Sequence, residues 1–420
     1  MTSIRPLLVM ALPAVLAAAC ASPTPAPKAA PAAPKATASV DSGSGRTEST
    51  DPGYEPQSKA SDDAGAPKAS VAGGAKATAK KKAAAKKAVY NNKMPKNFTR
   101  YNAPGAYNVN KLLYPRREIV GVFTKDNSGG TPISRANALG KKIGKKPNMI
   151  KTFVNWGGGF DINWAQSVWR NGSIPQFELE LRTFDITMRD IAKGEQDDYI
   201  RQLAVAIRAA NVPVTFSPFH EFNGDWYEWG WCGEYKADYN ACKQNPRNTP
   251  SDFKGAWKRM HNIFRAMGAT NAIWLWQANQ IGARPKVPLK PFWPGSSYVD
   301  WVGVVGYYQD PAKKWISSFE KIFRPTFVQV RKFTKKPILI PEVGSWVGKR
   351  RNTDIKDFLA GVARYPNVIG FIWFNEKKVG TNETDWRIEW SQSSVNTFKA
   401  SLKKGAFGFN PKHPTWPSGK

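Results

Sequence analysis

The chain has 420 residues, with 62 Lys or Arg against 32 Asp or Glu and a formal charge of +30. That length suits one large domain with an extension, since a single α/β barrel with insertions occupies about 250 to 400 residues. The charge argues against basic partners and favours anionic neighbours: phospholipid headgroups, acidic wall polymers or an acidic polysaccharide.

Residues 1–20 carry one early cation, Arg5, then an apolar run from Leu7 to Leu16 and three alanines before Cys20. The apolar run is too short to span a bilayer and reads as a secretory signal. Cys20 behind small residues resembles a bacterial lipoprotein site, where processing leaves a lipidated N-terminal Cys. That pattern prefers Leu three positions before the Cys, where this chain has Ala17, so ordinary cleavage and release stays open beside anchoring. Either way the protein is expected outside the cytoplasm, on the cell surface or secreted. Residues 21–90 are rich in Ala, Pro, Lys, Ser and Gly and almost lack large apolar side chains. Such a segment buries too little to offset its ordering entropy and should be a disordered tether for a domain over 91–420. The Lys-rich run 80–87 would suit nucleic acid, but export disfavours that partner.

Past Lys111, eight apolar runs with strand character recur, at 119–123, 149–154, 175–181, 212–219, 272–276, 301–307, 337–341 and 368–374. Between them lie helical patterns. At 199–208, Ile200, Leu203 and Ile207 share one face, and 253–264 is similar. Residues 182–195 fit either a short helix or a long loop. Eight strands alternating with helices predict a closed (β/α)₈ barrel, and no glycine-rich phosphate loop supports an open nucleotide-binding sheet.

A barrel of this kind carries its chemistry at the C-terminal ends of its strands. Glu221 follows the fourth run, among His220, Asn223, Trp226, Tyr227 and Trp229, and Glu342 closes the seventh run in Pro341-Glu342-Val343-Gly344. Aromatic faces stack on sugar rings, and amides bond hydroxyls. Two carboxylates about 5 to 5.5 Å apart suit hydrolysis of a glycosidic bond with retention. On local residues alone Glu221 favours catalysis over a loop carboxylate only narrowly, Glu342 reads equally as a capping or loop carboxylate, and the pair is what favours catalysis. Trp274, Trp276 and Trp301 lie inside strand runs and should pack.

These motifs resemble glycoside hydrolase family 26, with His220-Glu221 followed by Asn223-Gly224, Trp226-Tyr227 and Trp229-Gly230, and Pro341 to Gly344. The resemblance covers residues 118–391. It implies that Glu221 is the acid/base and Glu342 the nucleophile. It also implies that His220 holds Glu342, that Trp226 stacks on sugar and that Tyr307 touches the nucleophile, with Tyr308 competing for that role. Asn223 would bind substrate, and Trp373 would form a platform under the sugar.

The expectation is therefore a monomeric retaining glycosidase acting on β-mannan, β-glucan or a related exopolysaccharide. The other readings are a non-catalytic carbohydrate-binding protein and a basic scaffold for acidic wall polymer. Apolar walls from Phe219, Phe222 and Trp226 and repulsion from Glu342 should keep Glu221 protonated. No cofactor or metal is called for: Gly224 breaks any zinc-binding HExxH pattern, and His261 and His413 are far apart in sequence. With Cys20 lipidated, Cys232 and Cys242 remain to form one disulfide beside the site.

Overall fold

A computed structural model describes residues 100–125, 129–233, 246–281, 287–309, 317–377 and 384–414. The expected signal and tether, Cys20 and Cys242 lie outside these residues.

Eight parallel strands close on themselves in sequence order. They are β1 (Ile119–Phe123), β2 (Met149–Asn155), β3 (Ile174–Glu180), β4 (Val214–Pro218), β5 (Ala272–Asn279), β6 (Trp301–Val305), β7 (Ile338–Val343) and β8 (Val368–Phe374). The last pairs with the first, Val122 opposite Trp373, so no strand edge is left open. The helices are α1 (Pro132–Ile143), α2 (Ile162–Arg170), α3 (Met188–Lys193), α4 (Asp197–Ala210), α5 (Pro250–Ala266), α6 (Phe319–Arg331), α7 (Arg351–Arg364) and α8 (Gln392–Leu402). This is the barrel the sequence predicts.

Local chemistry starts the helices. Thr131, Thr187 and Thr249 each close a capping box with the residue three positions on, and Pro132 and Pro250 occupy first turns that need no N–H donor. The doubtful stretch at 182–195 contains α3, started by Thr187 and Asp190. In α4 the buried face is Ile200, Leu203 and Ile207, extended by Ala204 and Ala210.

Two cores follow from the two-residue period of the strands. Ile119 and Phe123 of β1, Met149, Ile174, Ile273, Leu275, Trp301 and Leu339 form one cluster, inside the barrel. Val120, Val122, Ile150, Phe177, Leu179, Phe216, Trp274 and Trp276 pack outward with helix residues such as Leu203 and Phe264. Trp274, Trp276 and Trp301 are all buried, as expected of residues inside strand runs.

Two irregularities break that period where β7 meets β8. β8 advances from Val368 to Gly370 while β7 advances only from Ile338 to Leu339. Gly370 has φ 136°, and a Cβ there would stand 2.3 Å from the Ile119 backbone, so only glycine fits. Beyond it Phe371 and Trp373 point outward, while Ile372 and Phe374 point inward. β7 then advances three residues, Ile340 to Val343, while β8 advances two, Phe371 to Trp373. That extra residue lies beside Glu342, a bulge of the kind that re-aims a side chain next to an active site.

Candidate active site

Strand β4 ends at Pro218, and Glu221 stands three residues beyond it in a tight turn. Phe219 and Glu221 both take left-handed backbone conformations, at φ 59° and 51°. Each costs roughly 1–3 kcal/mol outside glycine. The turn is held from both sides: the Phe219 N–H donates to Leu179 O of β3 at 3.2 Å, and the Glu221 N–H donates to Gln277 O of β5 at 3.0 Å. Asn279, at the end of β5, donates its side-chain amide to Glu221 Oε1, and Trp226 donates Nε1–H to Oε2 at 3.0 Å. Burial and repulsion from Glu342 push the Glu221 carboxyl up to about 7, against the pull of those two donors. The repulsion from Glu342 matches expectation. The walls differ, because Phe219 and Phe222 are fully buried among Phe253, Trp276 and Phe292, and Trp226 acts through a hydrogen bond.

Glu342 has different neighbours. Lys151 of β2 reaches across the barrel and donates from Nζ to Glu342 Oε2 at 2.7 Å, and the Tyr307 hydroxyl donates to Oε1. Lys151 is completely buried and also contacts Glu178 Oε2 of β3 at 2.5 Å. Burial alone would lower its ammonium pKa, but the two carboxylates outweigh that and raise it, so it stays charged. Glu178 in turn accepts from Gln176 at 3.1 Å and from Gln277 at 2.5 Å. Burial pushes its carboxyl up to about 7 despite Lys151. Tyr307, not Tyr308, is the phenol on the carboxylate, because the Tyr308 hydroxyl donates outward to Asp357 at 2.9 Å.

Three expected roles change. His220 is 1% exposed, with Nδ1 3.1 Å from Glu178 Oε1 and its ring against Tyr227 and Trp229. Burial, helped by Lys151 and Arg182, lowers its pKa well below the ordinary value, so it is neutral. Lys151 occupies the supporting position expected for His220. Asn223 is 1% exposed and spends both ends of its amide on the Asn279 backbone, at 2.9 and 2.8 Å, so it clamps the β4 turn to β5 instead of meeting substrate. Trp373 is no sugar platform: the Gly370 bulge turns it outward against Phe358 and Phe398, with Nε1–H donated to Trp386 O at 2.8 Å. Near Glu342, Phe374 stacks on Phe123, and Trp386 packs on Tyr307 and Trp346.

Above Glu342 opens a cavity of about 450 Å³, lined among others by Phe123, Lys125, Arg135, Phe153, Glu180, Arg182, Tyr227 and Phe374. Its aromatic rings and mixed charges could accept a sugar. Cys232 is one half of a disulfide; Cys242, the expected partner, lies outside the described residues. Among the described residues no group of three His, Cys, Asp or Glu is arranged to hold a metal ion.

Lys151, Glu178, Asn279 and Gln277 were not singled out from the sequence. A signal existed for the first two, since Lys151 interrupts an apolar strand run and Gln176, Glu178 and Glu180 alternate with Phe177 and Leu179. Asn279 had none, because its run reads as apolar up to Trp276.

Residues 188–344, which contain both glutamates, match the model of glycosyl hydrolase family 26. Endoglucanase H of Acetivibrio thermocellus is 30% identical over 277 residues, covering 64% of this chain and 28% of that protein. A mannan endo-1,4-beta-mannosidase of Bacillus subtilis strain 168 is 26% identical over 60% of this chain and 64% of its own length. The chain thus spans less than two thirds of either relative. Among solved structures, the catalytic domain of a Bacillus sp. JAMB-750 GH26 endo-beta-1,4-mannanase aligns with TM-score 0.54 at 14% identity, over 73% of this chain and 93% of that one. At that identity the likeness bears on the fold.

Proposed function

The chain belongs to glycosyl hydrolase family 26, and from that premise we propose that it hydrolyses β-linked polysaccharide, a β-mannan or β-glucan, with retention at the anomeric carbon. The observation that carries this reading is the unequal treatment of two glutamates at one barrel mouth. Glu221 holds its proton to about 7, while Glu342 accepts hydrogen bonds from an ammonium and a phenol.

Glu342 Oε attacks the anomeric carbon as the glycosidic C–O bond breaks, and the Glu221 proton passes to the departing oxygen. A glycosyl ester on Glu342 results. Glu221, now ionised, takes a proton from water as that water attacks the anomeric carbon, releasing the sugar and restoring both carboxyls. Lys151 and Tyr307 hold Glu342 in place throughout.

The test is reducing-sugar release from galactomannan, mixed-linkage glucan, β-1,3-glucan and xylan by the wild type, Glu221→Ala and Glu342→Ala. With an aryl β-glycoside whose phenolate leaves without protonation, azide should restore turnover in both variants, giving the β-glycosyl azide with Glu221→Ala and the α-anomer with Glu342→Ala. Equal activity in all three proteins would remove the enzymatic reading.

We also propose export by the signal at residues 1–20, anchoring through Cys20, and a Cys232–Cys242 disulfide that restrains the loop beside the cleft. Cys20→Ser should move the protein from the membrane to the soluble fraction, and unchanged membrane retention counts against anchoring.

A further inference from the structure

At the barrel end opposite Glu221 and Glu342, where β2 and β3 begin, lies a second groove of about 570 Å³. Lys145, Lys146, Arg170 and Lys412 line it, and no Asp or Glu does. Lys145 and Lys146 come from the loop between α1 and β2, Arg170 from the end of α2, and Lys412 from the C-terminal segment, where Nζ donates to Arg170 O at 3.2 Å. The α2 dipole accounts for Arg170, since cations stabilise helix C-termini. It does not account for the three lysines, which lie in loops.

Elsewhere several outward arginines meet carboxylates, Arg201 and Arg259 with Asp198 and Asp197, Arg364 with Glu320, and Arg189 with Asp252, while Arg135, Arg208 and Arg247 donate to backbone carbonyls. Among the described residues none of the four groove cations has such a pair, and residues 391–420 contain no Asp or Glu to supply one. Gathering like charges in one concavity is unfavourable unless an anion enters it. The half-buried Phe409 ring lines the same groove. A concave cationic trough with an aromatic wall suits a linear chain of charged rings better than a flat headgroup surface, and a ring face beside cations suits a pyranose bearing a carboxylate.

We propose that this groove is a second polysaccharide site that takes an acidic chain, its carboxylates on Lys145, Lys146, Arg170 and Lys412 and a pyranose face on Phe409. Binding there holds the barrel by the end away from the cleft, which stays open to substrate.

The experiment is calorimetric titration of the full-length chain, carrying Glu342→Gln to prevent hydrolysis, with polygalacturonate and with neutral galactomannan at about 0.15 M salt. Polygalacturonate should bind at this site, and K145Q/K146Q/R170Q/K412Q should weaken that binding about tenfold or more. A control on other faces, K193Q/K321Q/K332Q/K356Q, and glutamine at the tether lysines 80–82, 86 and 87 should each cost less than about twofold. Phe409→Ala should weaken binding without changing its salt dependence. In the otherwise wild-type chain the groove variant should hydrolyse galactomannan normally, so failure of this site and failure of the hydrolase reading are separable. The proposal falls if the groove variant binds polygalacturonate like the parent, or if the control or tether variants lose as much. It also falls if anionic vesicles or duplex DNA bind more tightly than polygalacturonate.

Discussion

Glu221 and Glu342 each lie just beyond a proline in an apolar run, and the barrel surrounds them with different chemistry. Around Glu221 the partners are neutral: an amide from Asn279, an indole from Trp226 and a strained turn that buries the carboxyl. Around Glu342, which lies in a bulge of β7, they are a buried ammonium and a phenol. Neutral donors do not offset the desolvation of an anion there, so Glu221 keeps a proton. Glu342 has a buried ammonium at 2.7 Å instead. The difference teaches that, on the proposed mechanism, the division between acid and nucleophile resides in the neighbouring strands β2 and β5 as much as in the two glutamates.

The harshest way to break the contrast is to delete its charged member. Glu342→Ala should reduce kcat/KM by roughly 10⁴-fold or more in steady-state assays. Lys151→Met attacks the same side through its support. It strands Glu178 and Glu342 without a cation and should cost on the order of 3–5 kcal/mol in urea unfolding, with Lys151→Arg costing much less.

Changes on the Glu221 side should be smaller and of opposite sign. A carboxyl raised to about 7 is protonated in the fold at pH values where the unfolded chain, near 4.5, has ionised. Its ionisation therefore lowers stability progressively between about 4.5 and 7. Glu221→Gln removes that cost and should stabilise the protein by about 1–3 kcal/mol above pH 7, with no gain below pH 4.5, as read from melting curves across pH. In the wild type the rate should fall as pH rises through about 7. Trp226→Phe deletes a donor that favours the anion and should move that alkaline limb upward by about half a unit. The smallest effect is expected at Trp373, now a packing residue. Trp373→Phe loses the bond to Trp386 O, about 1 kcal/mol in denaturation, with KM unchanged.

The barrel was legible because its signals are local and repeated. Each strand run is bounded by turn residues, and the face of α4 can be counted as Ile200, Leu203 and Ile207. Glu221 and Glu342 were legible as the ends of such runs. Trp373 was misread because one glycine, Gly370, shifts the two-residue period and turns the ring outward; the bulge lies in the pairing with β7, which the sequence of β8 does not contain. His220 was misplaced for a related reason. Its neighbours Glu178 and Lys151 lie on two other strands, and only barrel closure brings Lys151 to Glu342. Asn279 and Gln277 gave no sign of importance, since a polar residue past an apolar run reads as its end.

The central claim is that Glu342 is the nucleophile and Glu221 the proton donor. It is tested most directly by treating the enzyme with an activated 2-fluoro glycoside of the sugar it hydrolyses, then mapping the label by peptide mass spectrometry. A single glycosyl ester on Glu342, absent from Glu342→Gln, is the predicted result. A label on Glu221 or Glu178, or one that persists in Glu342→Gln, would contradict it.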